Sequence, residues 1–287
     1  MTIHTHQTAP TQFVEANGIR FAYRRFGKAD GVPLVFNMHF NGSMDNWDPA
    51  ITDGFAKDRE VILFNNAGVA SSSGEVPTNC QDMGSNAIAF IKALGLAQVD
   101  VLGFSIGGFI AQEIALQAPD LVRRLILLST GPRGGDSMAN ITSEMQEIYS
   151  ATYENPDHIW LHGFFTSSVA SQAVGREFLR RFRLRSKDRD LDMNETVIPA
   201  QLEAIGKWGA PQKSFDYLKA IKQPTLVVNG GKDVIIYPIN SFILQQNLPN
   251  AQLILYPDAG HGSHYQYPEL FVRHASLFLS ATDPWTV

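Results

Sequence analysis

The sequence predicts an α/β protein built on one mostly parallel sheet with helices on both faces. Short apolar runs alternate with segments of helical period along much of the 287-residue chain. An Asn17-Gly18 pair separates the first two runs, and a glycine-flanked serine at 103–107 joins a buried run to a helix-like stretch. Strands that alternate with helices pair in parallel through right-handed crossovers. We therefore expect a parallel sheet with an antiparallel hairpin at its N-terminal edge.

The first elements are a hairpin and two short strands. Asn-Gly is favoured in two-residue hairpin turns because both positions tolerate positive φ. The predicted strands are 11–15, 19–26, 33–38 and 60–65, with a loop after each of the last two.

A helix is predicted from Thr78. Apolar side chains recur at helical spacing on one face, at Met83, Ala87, Phe90, Ile91 and Leu94. Thr78 and Gln81 predict a capping box at its start, and Gly95 predicts its end. A strand at 99–102, a helix at 108–117 and a strand at 125–129 follow.

The alternation stops between Gly131 and Pro211 and then resumes. The resumed elements are a strand at 225–229, a helix at 239–246, a strand at 252–256 and a helix at 268–280. The interruption predicts a core of residues 1–130 and 212–287 with a helical cap, residues 131–211, inserted before the C-terminal strands. Ligands of open α/β folds bind at the carboxyl ends of the strands, so the cap is expected there.

The cap segment is rich in aromatic residues. Trp160, Phe164 and Phe165 are the candidate substrate-pocket residues. The alternative is that such rings only pack the interior of the cap itself.

Composition limits the partners and the compartment. The formal net charge of -5 disfavours nucleic acid, which needs a basic surface. No apolar stretch approaches the roughly 18 residues needed to cross a bilayer, and the polar N-terminal segment lacks a secretory core. Cys80 is the single cysteine and fits a reducing compartment. We expect a cytoplasmic protein without a membrane or nucleic-acid partner.

One local cluster of charge departs from this balance. Six basic residues are followed or interrupted by three aspartates: Arg180, Arg181, Arg183, Arg185, Lys187 and Arg189, with Asp188, Asp190 and Asp192. We interpret the run as a solvated helix face with partial ion pairing, with an anion-binding role as the alternative.

Ser105 is the candidate nucleophile. Gly103-Phe104-Ser105-Ile106-Gly107 matches G-x-S-x-G at a strand-to-helix junction, where small flanking residues permit a sharp turn that exposes one hydroxyl. A serine hydroxyl needs a base to remove its proton, and histidine titrates in the right range.

His261 is the candidate base and Asp233 the candidate acid that orients it. His261 follows the last strand in a Gly260-His261-Gly262 loop, and Asp233 lies beyond a buried strand in a glycine-rich loop. His264 is a rival base, but its position at the start of the final helix favours a surface or capping role. Asp258 is a rival acid, and we expect it to hold the loop instead.

A metal site is not expected. His158 and His162 have the spacing of a zinc-binding helix, but Ile159 stands where H-E-x-x-H needs glutamate. Packing in the cap or lining of the pocket is the preferred interpretation.

The chain resembles the α/β-hydrolase superfamily, in its serine esterase, lactonase and cofactor-free haloperoxidase-like branch. The motifs are His39-Phe40-Asn41-Gly42, the 103–107 turn, Gly230-Gly231-Lys232-Asp233 and Gly260-His261, in the nucleophile, acid, base order of that superfamily. The resemblance implies no cofactor. It implies an oxyanion hole from the amides of Ile106 and Phe40, although Asn41 could supply the second amide because the family's usual His-Gly pair is replaced by His39-Phe40.

The expected activity is hydrolysis of a carboxylic ester or lactone with an apolar body through an acyl-enzyme. The same residues could support perhydrolysis as in haloperoxidase-like relatives, carbon–carbon hydrolysis or lyase chemistry, because fold and triad do not fix the substrate. A ligand receptor without turnover is the alternative outside enzymes.

Overall fold

One eight-stranded sheet organises the chain. The computed structural model describes residues 4–139 and 141–282. The strand order is β1-β2-β4-β3-β5-β6-β7-β8. The strands are β1 (Gln12–Ala16), β2 (Ile19–Gly27), β3 (Leu34–Asn37), β4 (Glu60–Phe64), β5 (Val99–Phe104), β6 (Val122–Leu128), β7 (Thr225–Gly230) and β8 (Ala251–Tyr256). Strands β3 to β8 are parallel, whereas β1 pairs antiparallel with β2 and β2 antiparallel with β4. The predicted fold class is confirmed.

The helices that connect these strands, and the two that follow the last strand, cover both faces of the sheet. They are α1 (Pro49–Ala56), α2 (Cys80–Ala93), α3 (Ile106–Gln117), α4 (Ser143–Ser150), α5 (His158–Phe164), α6 (Val169–Phe182), α7 (Val197–Gly209), α8 (Pro238–Asn247), α9 (Ser263–Gln266) and α10 (Pro268–Ser280). None of the described helices is long and apolar enough to span a bilayer.

The N-terminal hairpin forms as its sequence predicts. Ala16 pairs with Ile19, and Asn17 and Gly18 both have positive φ, at 51° and 76°. Two consecutive residues with positive φ are what a type I′ turn requires. The turn therefore fixes the register that places the hairpin at the sheet edge.

The start of α2 differs from the prediction. Asn79, not Thr78, caps the helix, and its side-chain oxygen accepts the amide of Asp82 at 2.8 Å. Both threonine and asparagine are favoured as N-caps, so the helix can begin one residue later than predicted with Asn79 in the capping position. The predicted end is correct, since Gly95 follows the helix with a φ of 73°.

Two buried clusters fill the space on either side of the sheet. One contains apolar residues of α2 and α3, and the other contains residues of α1 and α10. Strand β5 contributes to both, because Val101 lies in the first and Phe104 in the second. This burial on both faces explains why the central strands read as continuous apolar runs.

The segment 131–211, called here the inserted segment, lies between β6 and β7 and contains α4 to α7. Its described residues form no strand, and Phe164, Phe165 and Phe178 join the cluster that contains Phe104, whereas Trp208 joins the other cluster. Arg181 on α6 forms an ion pair with buried Asp48 at 2.6 Å, and this pair ties the segment to the core.

The basic cluster is not the solvated helix face that we predicted. Helix α6 ends at Phe182, so the later cations lie in a loop. Arg185 is buried and donates to the backbone oxygens of His6 and Ala9, while Arg189 lies 3.4 Å from Asp45. Periodicity missed this role because the partners lie far away in sequence.

Candidate active site

Ser105 occupies a strained turn at the carboxyl end of the central strand β5. It directly precedes α3 and has φ 58° and ψ -122°, a conformation that L-residues rarely adopt. The Ser105 amide donates to the Leu128 carbonyl at 2.9 Å, and the Thr130 hydroxyl donates to the Ser105 carbonyl at 2.8 Å. These bonds hold the turn in place from the neighbouring strand β6 and the residues after it.

Close packing explains the glycines on both sides of Ser105. A Cβ on Gly103 would lie 2.1 Å from the Gly107 carbonyl oxygen, and one on Gly107 would lie 2.1 Å from the Asn37 carbonyl oxygen. Such contacts are impossible for any residue with a side chain. The turn can therefore close only with glycine at these two positions.

His261 and Asp233 form a buried hydrogen-bonded pair. His261 Nδ1 lies 2.8 Å from Asp233 Oδ2, and both residues are 2% exposed. The other carboxylate oxygen of Asp233 accepts the amides of Ile235 and Ile236 at 2.9 and 3.1 Å. Because the carboxylate is held from three directions, it fixes the imidazole with Nε2 as the free nitrogen.

Ser105 and His261 line the same cavity. The hydrogen bonds of the described residues do not include one between the Ser105 hydroxyl and His261, so the two side chains share the cavity without being joined. Such bonds are often long in a site that holds no substrate and shorten in the complex.

The loop after β3 borders the cavity, and its Phe40 and Asn41 amides differ in their hydrogen bonding. The Asn41 amide donates to Gln201 Oε1 at 2.7 Å, whereas no hydrogen bond of the described residues uses the amide of Phe40. Phe40 lines the cavity together with Ser105. Ile106 is the first residue of α3, so its amide has no partner within the helix.

His39 is a buried neutral ring that supports this loop. Its Nδ1 donates to the Phe40 carbonyl at 2.8 Å. Burial lowers the pKa of His39 to about 3, and the nearby His261 adds to that effect. The ring contacts Phe104, Trp160 and Phe164 at centroid distances of 5.1–5.3 Å. His39 therefore stays uncharged over the neutral pH range.

His264 does not have the surface or capping role expected for it. The residue is fully buried in α9, with its ring 4.3 Å from that of Phe104. Burial lowers its pKa well below the usual value, and neither ring nitrogen has a hydrogen-bond partner among the residues that the structure describes. The prediction was wrong because a separate turn of helix, α9, precedes the final helix.

Asp258 holds the loop that carries His261, as expected. Its carboxylate accepts the hydroxyls of Thr166 and Ser168 at 2.8 and 2.6 Å, and these bonds lower its pKa. The Gly262 amide also donates to the Phe164 carbonyl at 2.9 Å. The inserted segment is therefore bonded to the His261 loop at several points.

The cavity above Ser105 has a volume of about 240 Å³ and an apolar wall. Of the predicted pocket residues, Trp160 and Phe164 line it. Phe165 does not, and instead packs against Phe178 at a centroid distance of 5.7 Å. The apolar lining residues that sequence reasoning missed are Phe109, Met138, Ala139, Ile141, Met145, Leu202, Ile205, Ile235 and Ile236, together with Tyr149. For Leu202 and Ile205, the spacing of three residues in a helix-like stretch was a signal in the sequence that both side chains lie on one face of a helix.

His158 and His162 lie away from this cavity. The ring of His162 stacks on Tyr153 at 5.1 Å, which is packing within the inserted segment. The described residues contain no group of three or more metal-ligating side chains of the His, Cys, Asp and Glu type.

Comparison with known proteins places the fold and the motifs in one family. A family model for the alpha/beta hydrolase fold matches residues 32–268. The chain belongs to the alpha/beta hydrolase family. As an alpha/beta hydrolase it is 43% identical to an alpha/beta hydrolase fold protein from Chitinophaga pinensis, whose structure superposes with a TM-score of 0.92 over 97% of this chain and 100% of that one.

Two further proteins that this alpha/beta hydrolase resembles have names that describe an activity. The pimeloyl-[acyl-carrier protein] methyl ester esterase of Nitrosomonas europaea is 30% identical over 178 residues, which cover 60% of this chain and 68% of the relative. Est816, described as an N-acyl homoserine lactone degrading enzyme, is 25% identical, with a TM-score of 0.71 over 93% of this chain and 100% of that one. The relatives support an enzyme of the hydrolase superfamily that acts on small molecules.

Proposed function

We propose that this alpha/beta hydrolase is a serine hydrolase that cleaves neutral carboxylic esters or lactones with an apolar acyl part. The observation that carries the proposal is the His261–Asp233 pair, joined at 2.8 Å, which shares an apolar cavity with Ser105. Esterase and lactone-degrading relatives agree with this chemistry.

In the proposed reaction, Ser105 Oγ attacks the substrate carbonyl carbon while His261 Nε2 accepts the hydroxyl proton. Asp233 stabilises the resulting imidazolium through Nδ1. The carbon–oxygen bond to the alcohol then breaks, and the imidazolium returns the proton to the leaving oxygen. Water attacks the acyl-enzyme with His261 again as base, which releases the acid and restores Ser105.

The negative charge that develops on the carbonyl oxygen needs amide donors. We assign these to Ile106 and Phe40. The Asn41 amide is bonded to Gln201 at 2.7 Å, which supports Phe40 over Asn41 as the second donor. No step of this scheme needs a metal or a cofactor.

The lining of the cavity supports a neutral substrate. Among the described residues, no Lys, Arg, Asp or Glu side chain lines it. At about 30 Å³ for each water-sized group, 240 Å³ holds roughly eight non-hydrogen atoms. A smaller cavity of about 100 Å³ shares Phe40, Tyr149, Trp160, Phe164 and Ile235 with the first and offers room for a short second group.

We further propose that residues 131–211 act as a cap domain on a core of residues 1–130 and 212–287. Trp160, Phe164, Leu202 and Ile205 of this segment border the same cavity as Ser105, which supports that division. A cytoplasmic location stays a prediction from the sequence.

The test is an acyl-chain series of p-nitrophenyl esters together with neutral lactones, assayed with the wild type and Ser105→Ala. We expect kcat/KM to rise to acyl chains of about six to eight carbons and to fall at least tenfold when the far end of the chain carries a carboxylate. Parallel assays for peracid formation and carbon–carbon cleavage distinguish the related chemistries. Efficient turnover only in one of those assays, or ligand binding without any turnover, would overturn the proposal.

A further inference from the structure

Gln201 of the inserted segment is bonded to the loop that borders the candidate oxyanion hole. It lies on α7, is 6% exposed, and accepts the Asn41 amide through Oε1 at 2.7 Å. Asn41 has a positive φ of 51°, so the backbone turns sharply at this residue. A buried side chain from a distant helix thus bonds a strained loop backbone.

The peptide unit between Phe40 and Asn41 is held at both ends. His39 Nδ1 donates to its carbonyl oxygen at 2.8 Å, and its N–H is the amide that Gln201 accepts. The preceding amide, that of Phe40, belongs to the neighbouring peptide unit, which joins this one at the Phe40 Cα, so a fixed 40–41 unit restricts the positions that the Phe40 amide can adopt. Without the Gln201 bond, the Asn41 amide would have to find another acceptor, and the change in the backbone angles of the loop that this requires would let the Phe40 amide move as well.

Helix α7 is itself firmly placed against the core. Trp208 stacks on Phe109 at 4.9 Å and donates to the Gly131 carbonyl at 3.2 Å. The same helix contributes Leu202 and Ile205 to the wall of the substrate cavity. One rigid element therefore borders the acyl part of the site and also holds the loop that would bind the carbonyl oxygen.

We propose that Gln201 is a positioning residue that aligns the Phe40 amide for oxyanion binding, so that the inserted segment helps to build the oxyanion hole. The proposal rests on the proposed serine-hydrolase function. It assigns this residue to stabilisation of the transition state and not to binding of the acyl chain, because its side chain bonds the loop and does not line the cavity above Ser105. Removal of the bond should therefore lower kcat while KM changes little.

The experiment compares Gln201→Met with Gln201→Glu, using the best ester found for the wild type. Methionine keeps the length of the side chain but lacks the acceptor, whereas glutamate keeps an oxygen at that place. Loss of a whole oxyanion donor costs about a hundredfold or more, so a misdirected donor should cost Q201M about 10- to 100-fold in kcat with KM within about twofold. Q201E should recover most of this loss.

Gln223→Met is the matched control. Gln223 is 8% exposed and donates to the Pro119 carbonyl at 2.9 Å, far from the site in the fold, so its loss tests the effect of a buried glutamine bond alone. A second readout is the infrared carbonyl band of a slowly hydrolysed acyl-enzyme. This band should move to higher frequency in Q201M, as the hydrogen bond to the carbonyl weakens, and should stay unchanged in Q223M.

The outcomes separate this inference from the function on which it rests. A wild type without ester or lactone hydrolysis would remove the proposed function itself. An active wild type with unchanged kcat and carbonyl band in Q201M would overturn the role of Gln201 alone, as would equal losses in Q201M and Q201E. If Q201M does not fold, Gln201→Ala takes its place with the same expected result.

Discussion

Ser105 is held in an unfavourable backbone conformation by the residues around it. Its φ is 58°. The glycines at 103 and 107 have no side chains, so the backbone at Gly103 can contact that of Gly107, and the backbone at Gly107 can contact that of Asn37. Positive φ in a non-glycine residue costs about 1–3 kcal/mol, and such strain persists only when the surroundings impose it. The sequence motif predicted the turn, and the packing explains each of its small residues.

Substitution at Ser105 separates chemistry from stability. Ser105→Ala should remove nearly all turnover and leave the free energy of unfolding unchanged, because alanine at this position has the same backbone strain as serine. Ser105→Gly should also be inactive but more stable by up to ~2 kcal/mol, since glycine relieves the strain. Denaturant unfolding of the three proteins checks this order, and an active S105A enzyme would contradict the assignment.

Asp233 acts on His261 through one oxygen while its other oxygen is fixed by two backbone amides. Asp233→Asn keeps the shape but offers an N–H where His261 needs an acceptor, so the ring should adopt the wrong tautomer. We expect kcat to fall on the order of a thousandfold or more with little change in KM. Steady-state kinetics measure the effect, and a change below tenfold would argue against Asp233 as the orienting acid.

At the scale of elements, local patterns predicted what local forces decide. The hairpin followed from Asn17-Gly18 and the end of α2 from Gly95, because positive φ at these sites depends on the residue itself. Helix α1 was missed, although Asp48 caps it and Pro49 begins it. Its eight residues show too few periods for a helical pattern to stand out, and burial against α10 supplies much of its stability.

Helix α7 contains a glycine, Gly206, at a position that has space for a larger side chain. Apart from its chain neighbours and the backbone of its own helix, no heavy atom of the described residues lies within 4 Å of where a Cβ would stand on Gly206. Gly206→Ala should therefore stabilise the protein by about 1 kcal/mol, the usual helix preference of alanine over glycine. Because Gly206 lines the cavity, we also expect weaker activity on the longest acyl chains. Thermal unfolding and the ester series measure both effects, and a lower melting temperature would contradict the packing described here.

At the scale of the whole molecule, burial of neutral histidines links stability to pH. Burial lowers the pKa of His6 and His39 from 6.5 to about 3, and that of His264 well below 6.5. The unfolded chain binds these protons and the folded chain does not, so the free energy of unfolding falls as pH drops below about 6.5. Each residue contributes about 1.4 kcal/mol per pH unit in that range.

The expected result is a steep loss of stability between pH 6.5 and pH 5. His264→Phe removes one of the three groups that take up a proton on unfolding, together with two ring nitrogens that have no hydrogen-bond partner among the described residues. The stability of this variant should therefore fall less steeply with pH and should be higher than that of the wild type at pH 5. Denaturant unfolding at several pH values provides the slopes. Parallel slopes for H264F and the wild type would show that His264 does not contribute.

Long-range docking marks the limit of what the sequence could predict. That Ser105, Asp233 and His261 lie close together could be predicted because each follows a recognisable strand, and parallel strands bring their carboxyl ends to one edge. Phe165, His264 and Arg185 were misassigned, since the side on which each residue packs depends on how the inserted segment and the N-terminus dock. Gln201 carries no local signal at all, because its partner Asn41 lies 160 residues away.

The most direct test of the account is to label the wild-type protein with a fluorophosphonate and locate the adduct by mass spectrometry. The account predicts one adduct on Ser105, formed in parallel with the loss of esterase activity, and no labelling of Ser105→Ala or after replacement of His261. An adduct on another residue that tracks the loss of activity, or full activity with Ser105 completely modified, would contradict it.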